Sequence, residues 1–289
     1  MSDKIRGILY LVATPIGNLS DISVRALKTL ENVDFIAAED TRVTRKLLEH
    51  YQIKKPVVSY YHHNSRSSGD KIVSRIINGE NCALVSDAGT PGISDPGEEL
   101  VRLCVDEDIR VVIIPGPCAA ISALTLSGLS AGRFVFEGFL PVDKKARKQR
   151  FDDLKNENRT MIFYEAPHKL LRTLNDMINI FGDRHVSVSR EMTKIYEETL
   201  RMSLSEIIDI YNEKIPKGEF VIILEGNTYD SDTNSDITLE KAVRSVVSMT
   251  ENGMSIRDAV KKAAAETGCS RNSLYKIVTA MNEVSGTDD

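Results

Sequence analysis

The chain has 289 residues, 42% of them hydrophobic and 27% charged, and this length predicts two domains with a small appendage. No apolar run approaches the ~18 residues of a membrane helix, and Met1–Arg6 is polar, so we expect a cytoplasmic protein without a signal peptide. The four cysteines are widely spaced, which argues against a disulfide framework or a metal cluster. The net charge of -5 excludes an overall basic surface, so any nucleic-acid contact must come from local patches.

Residues 8 to 127 alternate short apolar runs with amphipathic stretches. The predicted strands are Ile8–Ala13, Phe35–Ala38, Val57–Tyr60, Ala83–Val85 and Val111–Ile114. The predicted helices begin near Ser23 and then cover Lys46–Tyr51, Ile72–Ile77, Glu98–Val105 and Ala119–Leu129. Strands that are apolar on both faces and separated by helices are typical of a parallel α/β sheet.

A second block of strands follows from residue 134. Its predicted strands are Phe134–Phe136, Met161–Tyr164, His185–Ser189 and Phe220–Leu224, with helices near Arg147–Leu154 and Lys169–Phe181. The stretch Tyr196–Arg201 also has β character and follows the preceding strand closely. This spacing favours a hairpin, and therefore a mixed sheet rather than a second purely parallel one.

The polar segment 228–236 has no periodicity and is predicted to be a linker. Beyond it, Leu239–Met249, Ile256–Glu266 and Leu274–Val284 are predicted helices, with Gly268 as a turn residue and Ser270 as a cap. This is the outline of a helix-turn-helix, a motif that binds nucleic acid or serves simply as a packing module. We therefore predict an α/β domain over 1–128, a mixed-sheet α/β domain over 129–227 and a helical extension over 237–289.

Three loops follow predicted strands, at the edge where ligands collect in open α/β sheets. They are Ala13–Asn18, Ser86–Gly97 and Pro115–Ala120. Neither G-x-G-x-x-G nor G-x-x-x-x-G-K-[ST] occurs, which argues against dinucleotide and nucleoside-triphosphate enzymes. Ser86–Gly97 packs three glycines, two prolines and two aspartates into twelve residues, which favours a ligand loop over a plain surface loop. The small residues after Pro115 suit either a flat ligand such as adenine or tight helix packing.

Several ordered strings carry a family resemblance. They are LVATPIGNLSDIS (11–23), AAEDTRVTRKLL (37–48), SDAGTPGISDPG (86–97), IPGPCAAISAL (114–124), FEGFLP (136–141), FYEAPHKL (163–170) and SREMTKIYEE (189–198). Together they resemble the ribosomal RNA small subunit methyltransferase I family, which belongs to the tetrapyrrole methylases. The resemblance covers essentially the whole chain, including a helix-turn-helix tail over 256–275.

The resemblance implies a two-domain tetrapyrrole-methylase-like fold, a homodimer and S-adenosylmethionine as methyl donor in the interdomain cleft. It implies 2′-O-methylation of a decoding-region cytidine in the 16S ribosomal RNA of assembled small subunits. The implied donor contacts are Asp87, Gly89, Gly92, Ile93, Pro115, Cys118, Ala119, Tyr164, Glu165, Ser189, Arg190 and Glu219. The donor carries no phosphate, which agrees with the missing glycine-rich phosphate motifs.

The reaction needs alignment and removal of the hydroxyl proton. Candidate acceptors of that proton are Glu39, Asp40 and His63, with His62 and Asp87 as further candidates. Asp40 could instead cap a helix, and adjacent histidines on an extended strand point in opposite directions, so at most one faces the cleft.

RNA contacts are expected from polar and cationic residues around the cleft. They are Arg42, Arg45, Lys46, Asn64, Arg66, Lys144, Lys145, Arg147, Lys148 and Arg150, together with His168 and Lys169. A solvated helix face is the alternative interpretation of the 144–150 cations.

Two other functions compete with this one. A carbon methyltransferase of corrin or porphyrin synthesis would share the fold and the donor site, but the E-D-T-R corner at 39–42 and the helical tail favour RNA. A non-enzymatic nucleic-acid binder working through the C-terminal helices would leave the Ser86–Gly97 loop without a purpose.

Overall fold

The computed structural model describes residues 6–61, 65–95, 97–227, 233–251, 253–267 and 269–284. The chain divides into two compact units, Met1–Glu225 and Gly226–Asp289. The first unit contains two five-stranded sheets. Within the described residues, no helix has the length and apolar character needed to cross a membrane.

The first sheet is parallel throughout, as predicted. Its strands are β1 (Ile8–Val12), β2 (Phe35–Ala38), β3 (Val57–Ser59), β4 (Cys82–Val85) and β5 (Arg110–Ile114), in the order β3-β2-β4-β1-β5. Helices α1 (Val24–Asn32), α2 (Thr41–His50), α3 (Ser65–Ile77) and α4 (Gly97–Asp106) cover it. Every residue of β2 and β4 is buried, because a sheet with helices on both faces needs apolar side chains on both faces.

The two faces of this sheet have separate cores. Side chains of α1 and α2, such as Leu30 and Leu48, pack on one face, and side chains of α3 and α4, such as Ile72 and Leu100, pack on the other. The chain leaves the adjacent strands β1 and β4 toward opposite faces. The carboxyl ends of these two strands therefore form the topological switch point where ligands bind in open α/β sheets.

The second sheet is mixed, as predicted. Its strands are β6 (Phe134–Phe139), β7 (Thr160–Glu165), β8 (His185–Arg190), β9 (Glu198–Ser203) and β10 (Phe220–Leu224), in the order β6-β7-β10-β8-β9. β6 and β7 are parallel, whereas β10 is antiparallel to β7 and β8, and β8 and β9 form the predicted hairpin. Helices α6 (Lys144–Leu154), α7 (Pro167–Phe181) and α8 (Leu204–Glu213) complete this half.

Helix α5 (Ala119–Ser127) links the two sheets. It follows β5, but Ala120, Ala123 and Leu124 pack against the second sheet beside Ile162 and Val221. The domain boundary predicted at residue 128 thus follows a helix that packs with the second sheet. The helix ends before the predicted Leu129, because Gly128 adopts a left-handed conformation with φ 75°.

The second unit contains three helices in its described part, α9 (Thr233–Glu251), α10 (Ile256–Thr267) and α11 (Arg271–Val284). Ala242, Val246, Ala263, Leu274 and Val278 form its core. The predicted linker was partly wrong: residues 228–232 lie outside the described residues, but 233–236 are helical. Thr, Asn, Ser and Asp favour the first positions of a helix, so a polar segment also serves as a helix start.

Candidate functional site

A cavity of about 430 Å³ lies between the carboxyl ends of the first sheet and the second sheet. This volume falls in the range of small-molecule sites. The loops after β1, β2, β4, β5, β7 and β8 line it together with the end of β6 and the start of β10. The lining residues are Ile16, Glu39, Ser86, Asp87, Ala88, Gly89, Thr90, Ile93, Ser94, Asp95, Cys118, Ala119, Phe139, Tyr164, Glu165, Ala166, Pro167, Ser189, Glu191, Met192, Lys194, Glu219, Phe220 and Val221.

The switch point forms one wall of this cavity. Thr14 and Gly89 exchange two backbone hydrogen bonds, with N–O distances of 2.9 and 3.1 Å. The Thr14 hydroxyl also donates to the carbonyl oxygen of Ser86 at 3.1 Å. The loops that follow β1 and β4 therefore form a single hydrogen-bonded surface.

The loop after β4 is held from within by Asp95. Its Oδ1 accepts hydrogen bonds from the backbone N–H groups of Gly92, at 2.7 Å, and Gly97, at 2.8 Å. Gly89 and Gly92 have φ of 85° and 87°, which glycine adopts readily and other residues rarely do. The glycines thus set the path of the loop, and Asp95, to which the sequence analysis assigned no role, fixes it.

The loop after β5 closes the same wall by close packing. A Cβ at Gly116 would lie 2.9 Å from the Cβ of Ala13, so only glycine fits there. The Thr90 hydroxyl donates to the carbonyl oxygen of Pro117 at 3.0 Å, which joins the loops after β4 and β5. The small residue at position 116 therefore allows tight packing against the loop after β1. The small residues that follow, Cys118 and Ala119, line the cavity.

Tyr164 supplies an aromatic surface on the opposite wall. Its hydroxyl oxygen accepts a hydrogen bond from the backbone N–H of Ala120 at 3.1 Å, and its ring packs edge-on against Phe136 and Phe139. Burial raises the pKa of Tyr164 to about 12, so the hydroxyl stays neutral. The Tyr164 side chain is therefore an uncharged part of this wall.

Lys194 and two glutamates close the far end of the cavity. The Lys194 Nζ donates to Glu191 at 2.9 Å and to Glu219 at 3.1 Å. A Cβ at Gly17 would lie 2.5 Å from the Lys194 Cγ, so the loop after β1 contacts this segment directly. The sequence analysis did not predict Glu191 or Lys194 as site residues. Both lie in the string 189–198 that carries the family resemblance, and this string could have identified them.

Carboxylates dominate the end of the cavity near β2 and β4. Partial burial, and next the charge of Asp87, raise the pKa of Glu39. Burial also raises the pKa of Asp87, although its Oδ1 accepts a hydrogen bond from the Asp40 backbone N–H at 3.0 Å. Asp87, Asp95 and Asp40 all disfavour the charged form of Glu39, so this end of the cavity suits a cation.

Asp40 differs from both. Its carboxylate caps α2 by accepting from the Arg42 N–H at 2.8 Å, and it pairs with the Arg42 guanidinium at 2.6 Å. The hydrogen bonds from Arg42 lower the pKa of Asp40 to about 2. The capping alternative is the one the structure shows, and it makes this carboxylate a weak base.

Most predicted donor contacts line the cavity together: Asp87, Gly89, Ile93, Cys118, Ala119, Tyr164, Glu165, Ser189 and Glu219. Gly92, Pro115 and Arg190 are not among its lining residues. Gly92 supports the loop through its N–H, and Pro115 precedes the tight Gly116 contact. The candidates His62, His63 and Asn64 lie outside the described residues, as does the side chain of Arg66.

Most of the predicted RNA-binding cations are at the surface. Arg42, Arg45, Lys46, Lys144, Lys145, Lys148 and Arg150 are exposed, and Arg150 pairs with Glu137.

The prediction for Arg147 is wrong. Its side chain is 8% exposed and donates to Asp176 at 2.8 Å and to Thr173 at 2.9 Å. Arg147 lies at i, i+4 and i+7 spacing with Phe151 and Leu154, on the buried face of α6. It therefore cannot reach an RNA phosphate from this position.

The fold and the cavity define the class of protein. A family model described as Tetrapyrrole (Corrin/Porphyrin) Methylases matches residues 8–208. Diphthine synthase has a similar structure, with a TM-score of 0.57 and 14% identity, covering 77% of this chain and 91% of that one. Uroporphyrin-III-C-methyltransferase from Thermus thermophilus is also similar, with a TM-score of 0.53 and 16% identity, covering 75% and 94%. At these identities, the likeness shows the fold alone.

Sequence relatives identify the branch. Proteins named ribosomal RNA small subunit methyltransferase I are 47% identical in Synechocystis sp., covering 94% of this chain and 97% of that one, and 46% in Bacillus subtilis, covering 93% of each. The Haemophilus influenzae protein of that name is 45% identical, covering 94% and 96%. The chain belongs to the ribosomal RNA small subunit methyltransferase I family of the tetrapyrrole methylases. Its cofactor is S-adenosylmethionine.

The cavity fits this cofactor. When bound, S-adenosylmethionine supplies a methyl group on a positively charged sulfur, and it also carries an amine and a flat adenine. Glu39, Asp87 and Asp95 place carboxylates in the lining that would suit its cationic sulfur and amine, and Tyr164 and the small residues at 118–119 offer room for a flat ring. The described cation in the lining, Lys194, is already paired with glutamates. Among the described residues, no group of side chains could hold a metal ion.

Proposed function

We propose that the chain transfers the methyl group of S-adenosylmethionine to the 2′-hydroxyl of a decoding-region cytidine in 16S ribosomal RNA of the small ribosomal subunit. The names of the relatives support ribosomal RNA as the substrate. The single observation that carries the chemistry is a pair of carboxylates with raised pKa, Glu39 and Asp87, in the wall of the donor cavity.

These two carboxylates are the proton acceptors in this proposal. A general base works best when its pKa approaches the working pH, and the raised pKa values of Glu39 and Asp87 move in that direction. The 2′-oxygen would form a bond to the methyl carbon as the carbon–sulfur bond of the donor breaks and S-adenosylhomocysteine leaves. One of these carboxylates would take the hydroxyl proton. Asp40 holds its proton too weakly for this role, because Arg42 stabilises its charged form.

The exposed cations of α2 and α6 would hold the RNA backbone. Lys144, Lys145 and Lys148 lie on α6, and Arg42 and Arg45 lie on α2. Phosphate contacts from such side chains position a nucleic acid and give affinity that falls as salt rises. Arg147 has no part in this surface, because Asp176 and Thr173 hold it inside the protein.

The test is methyl transfer with purified protein and small ribosomal subunits from cells lacking the endogenous activity. We expect label from S-adenosylmethionine in the 16S RNA, at one cytidine ribose identified by nuclease digestion and mass spectrometry. Naked 16S RNA should be a poorer acceptor than assembled subunits. Uroporphyrinogen III serves as the competing acceptor, because the fold is shared with a porphyrin-ring methylase. Label on the tetrapyrrole, or on no RNA, would overturn the proposal.

We further propose a cytoplasmic homodimer. Ile195 and Tyr196 are 94% and 72% exposed on the loop between β8 and β9, and large apolar side chains at that exposure favour a protein contact. Light scattering should give twice the chain mass, and Tyr196→Ser should shift the equilibrium toward monomer. A monomeric wild-type protein at micromolar concentration would contradict this part of the proposal.

A further inference from the structure

A second cavity lies beside the donor cavity. Its volume is about 410 Å³, and it shares two lining residues, Ser86 and Asp87, with the first. Its lining residues are Thr14, Pro15, Gly17, Leu19, Val43, Thr44, Lys46, Leu47, Ser86 and Asp87. The two cavities therefore adjoin at the start of the Ser86–Gly97 loop.

The loop after β1 also borders both cavities. Ile16 lines the donor cavity, whereas its neighbours Pro15 and Gly17 line the second one. The position of Asp87 is fixed by the hydrogen bond from the Asp40 N–H. A group that entered the second cavity as far as Asp87 would therefore reach the same carboxylate that borders the donor.

Leu19 and Val43 give the second cavity an apolar surface that water reaches. Their exposed fractions are 40% and 42%. Covering such a surface with a flat apolar ligand is favourable, and nucleobases present apolar faces of that kind.

Cations flank this apolar surface along α2. Lys46 lines the cavity, and Arg42 and Arg45 are exposed on the same helix. Residues at i, i+3 and i+4 lie close together on a helix, so these three cations form one edge. The Arg42 side chain is 84% exposed even though it pairs with Asp40. An apolar wall with a cationic edge complements a nucleotide, which has an apolar base and an anionic phosphate.

We propose that the second cavity is the subsite of the target nucleotide, and this inference rests on the proposed function. The base lies against Leu19 and Val43, the neighbouring phosphate lies at Lys46, and the ribose lies at Ser86 and Asp87, where the second cavity adjoins the donor cavity. Such a nucleotide must be unstacked from its neighbours, as bases in single-stranded RNA readily are. The 2′-oxygen and the donor methyl group then meet beside Asp87, as direct transfer requires.

Neutral substitutions test the base contact without changing charge. Val43→Asn should lower kcat/KM for unmodified small subunits about five- to tenfold, the loss expected for one buried apolar contact. The dissociation constant for S-adenosylmethionine and the salt dependence of kcat/KM should not change. Val43→Leu should keep near wild-type activity. Val105→Asn is the matched control, because Val105 is an exposed helical valine that lines neither cavity.

Lys46→Ala tests the phosphate contact. It should reduce the slope of log(kcat/KM) against log salt by about one, as expected for one lost phosphate contact. Sedimentation of unmodified subunits with each variant should rank the variants by affinity in the same order as kcat/KM does.

Two outcomes would overturn the inference. One is Val43→Asn activity equal to that of Val105→Asn, and the other is a weaker S-adenosylmethionine affinity in Val43→Asn, which would assign the cavity to the donor. Failure of the proposed function is distinguishable from both, because the wild-type protein would then not methylate small subunits at all. Thermal unfolding of each variant separates these effects from loss of folding.

Discussion

The backbone N–H of Asp40 donates a hydrogen bond to Asp87 Oδ1 at 3.0 Å. This contact joins the carboxyl ends of β2 and β4 and sets Asp87 between the two cavities. The Asp40 carboxylate pairs with the Arg42 guanidinium at the same time. Asp40 therefore orients Asp87 through its backbone N–H and not through its side chain. The chemical roles of Glu39, Asp40 and Asp87 therefore differ, although all three are acidic residues at one corner.

Glu39→Gln and Asp40→Asn should separate these roles. Glu39→Gln should lower kcat about 100-fold or more if it removes a general base. Asp40→Asn should keep most activity, because asparagine also caps helices and the backbone N–H to Asp87 remains. Single-turnover rates with small subunits measure both. Equal losses in the two variants would contradict the assignment.

The pH profile of the wild-type enzyme should show a raised carboxylate pKa. Since burial raises the pKa values of Glu39 and Asp87, their base forms appear at higher pH than the base form of an unperturbed carboxyl group. Activity should therefore rise with pH and level off above that point. In Glu39→Gln, the pH dependence of the residual activity should reflect the ionisation of Asp87 alone. A rate independent of pH between 4 and 8, with intact protein throughout, would argue that no base is needed.

The same carboxylates should reduce stability at neutral pH. A carboxyl group with a pKa higher in the folded protein than in the unfolded chain favours folding less as pH rises from the unfolded value to the folded one. Glu39→Gln should therefore raise the Tm at pH 7 and leave it nearly unchanged at pH 4 or below. Differential scanning calorimetry at the two pH values checks this. A lower Tm at pH 7 would contradict it.

Arg147→Ala should lower the stability of the protein and leave its RNA binding unchanged. Removing a buried cation that is bonded to Asp176 and Thr173 should cost about 3 kcal/mol of unfolding free energy. The exposed neighbour Lys148 is the control, and Lys148→Ala should change stability by less than about 0.5 kcal/mol. Urea denaturation measures both. The salt dependence of subunit binding should change only in Lys148→Ala, and the opposite pattern would restore Arg147 to the RNA surface.

Gly89→Ala tests the loop geometry. Gly89 has φ 85°, and a Cβ there would lie 3.3 Å from the Ile16 Cγ2, whereas Gly128 has φ 75° with open space around it. Both alanine variants should lose about 1 kcal/mol of stability from backbone strain. Only Gly89→Ala should weaken S-adenosylmethionine binding in calorimetry, because only Gly89 lines the cavity. Equal donor affinity in the two variants would show that this wall does not touch the donor.

The sequence by itself determined the strands, the parallel and mixed character of the two sheets and the three ligand loops. These depend on local signals: doubly apolar strands, a short hairpin spacing and dense glycine and proline between a strand and a helix. The family strings also pointed to the donor and to residues such as Asp87 and Tyr164, which line one cavity in the structure. The spacing of Arg147, Phe151 and Leu154 also indicated one buried helix face. The prediction placed Arg147 at the surface because the residue is charged.

Only the tertiary structure decided which neighbours the charged groups have. At this corner, the hydrogen bond from the Asp40 N–H to Asp87 joins residues 47 positions apart, whereas the pairing of Asp40 with Arg42 is local. The placement of α5 on the second sheet and the two adjoining cavities depend likewise on packing between distant segments. Periodicity and propensity describe each segment alone, whereas the pKa of a carboxylate and the shape of a cavity depend on what the rest of the chain places beside it.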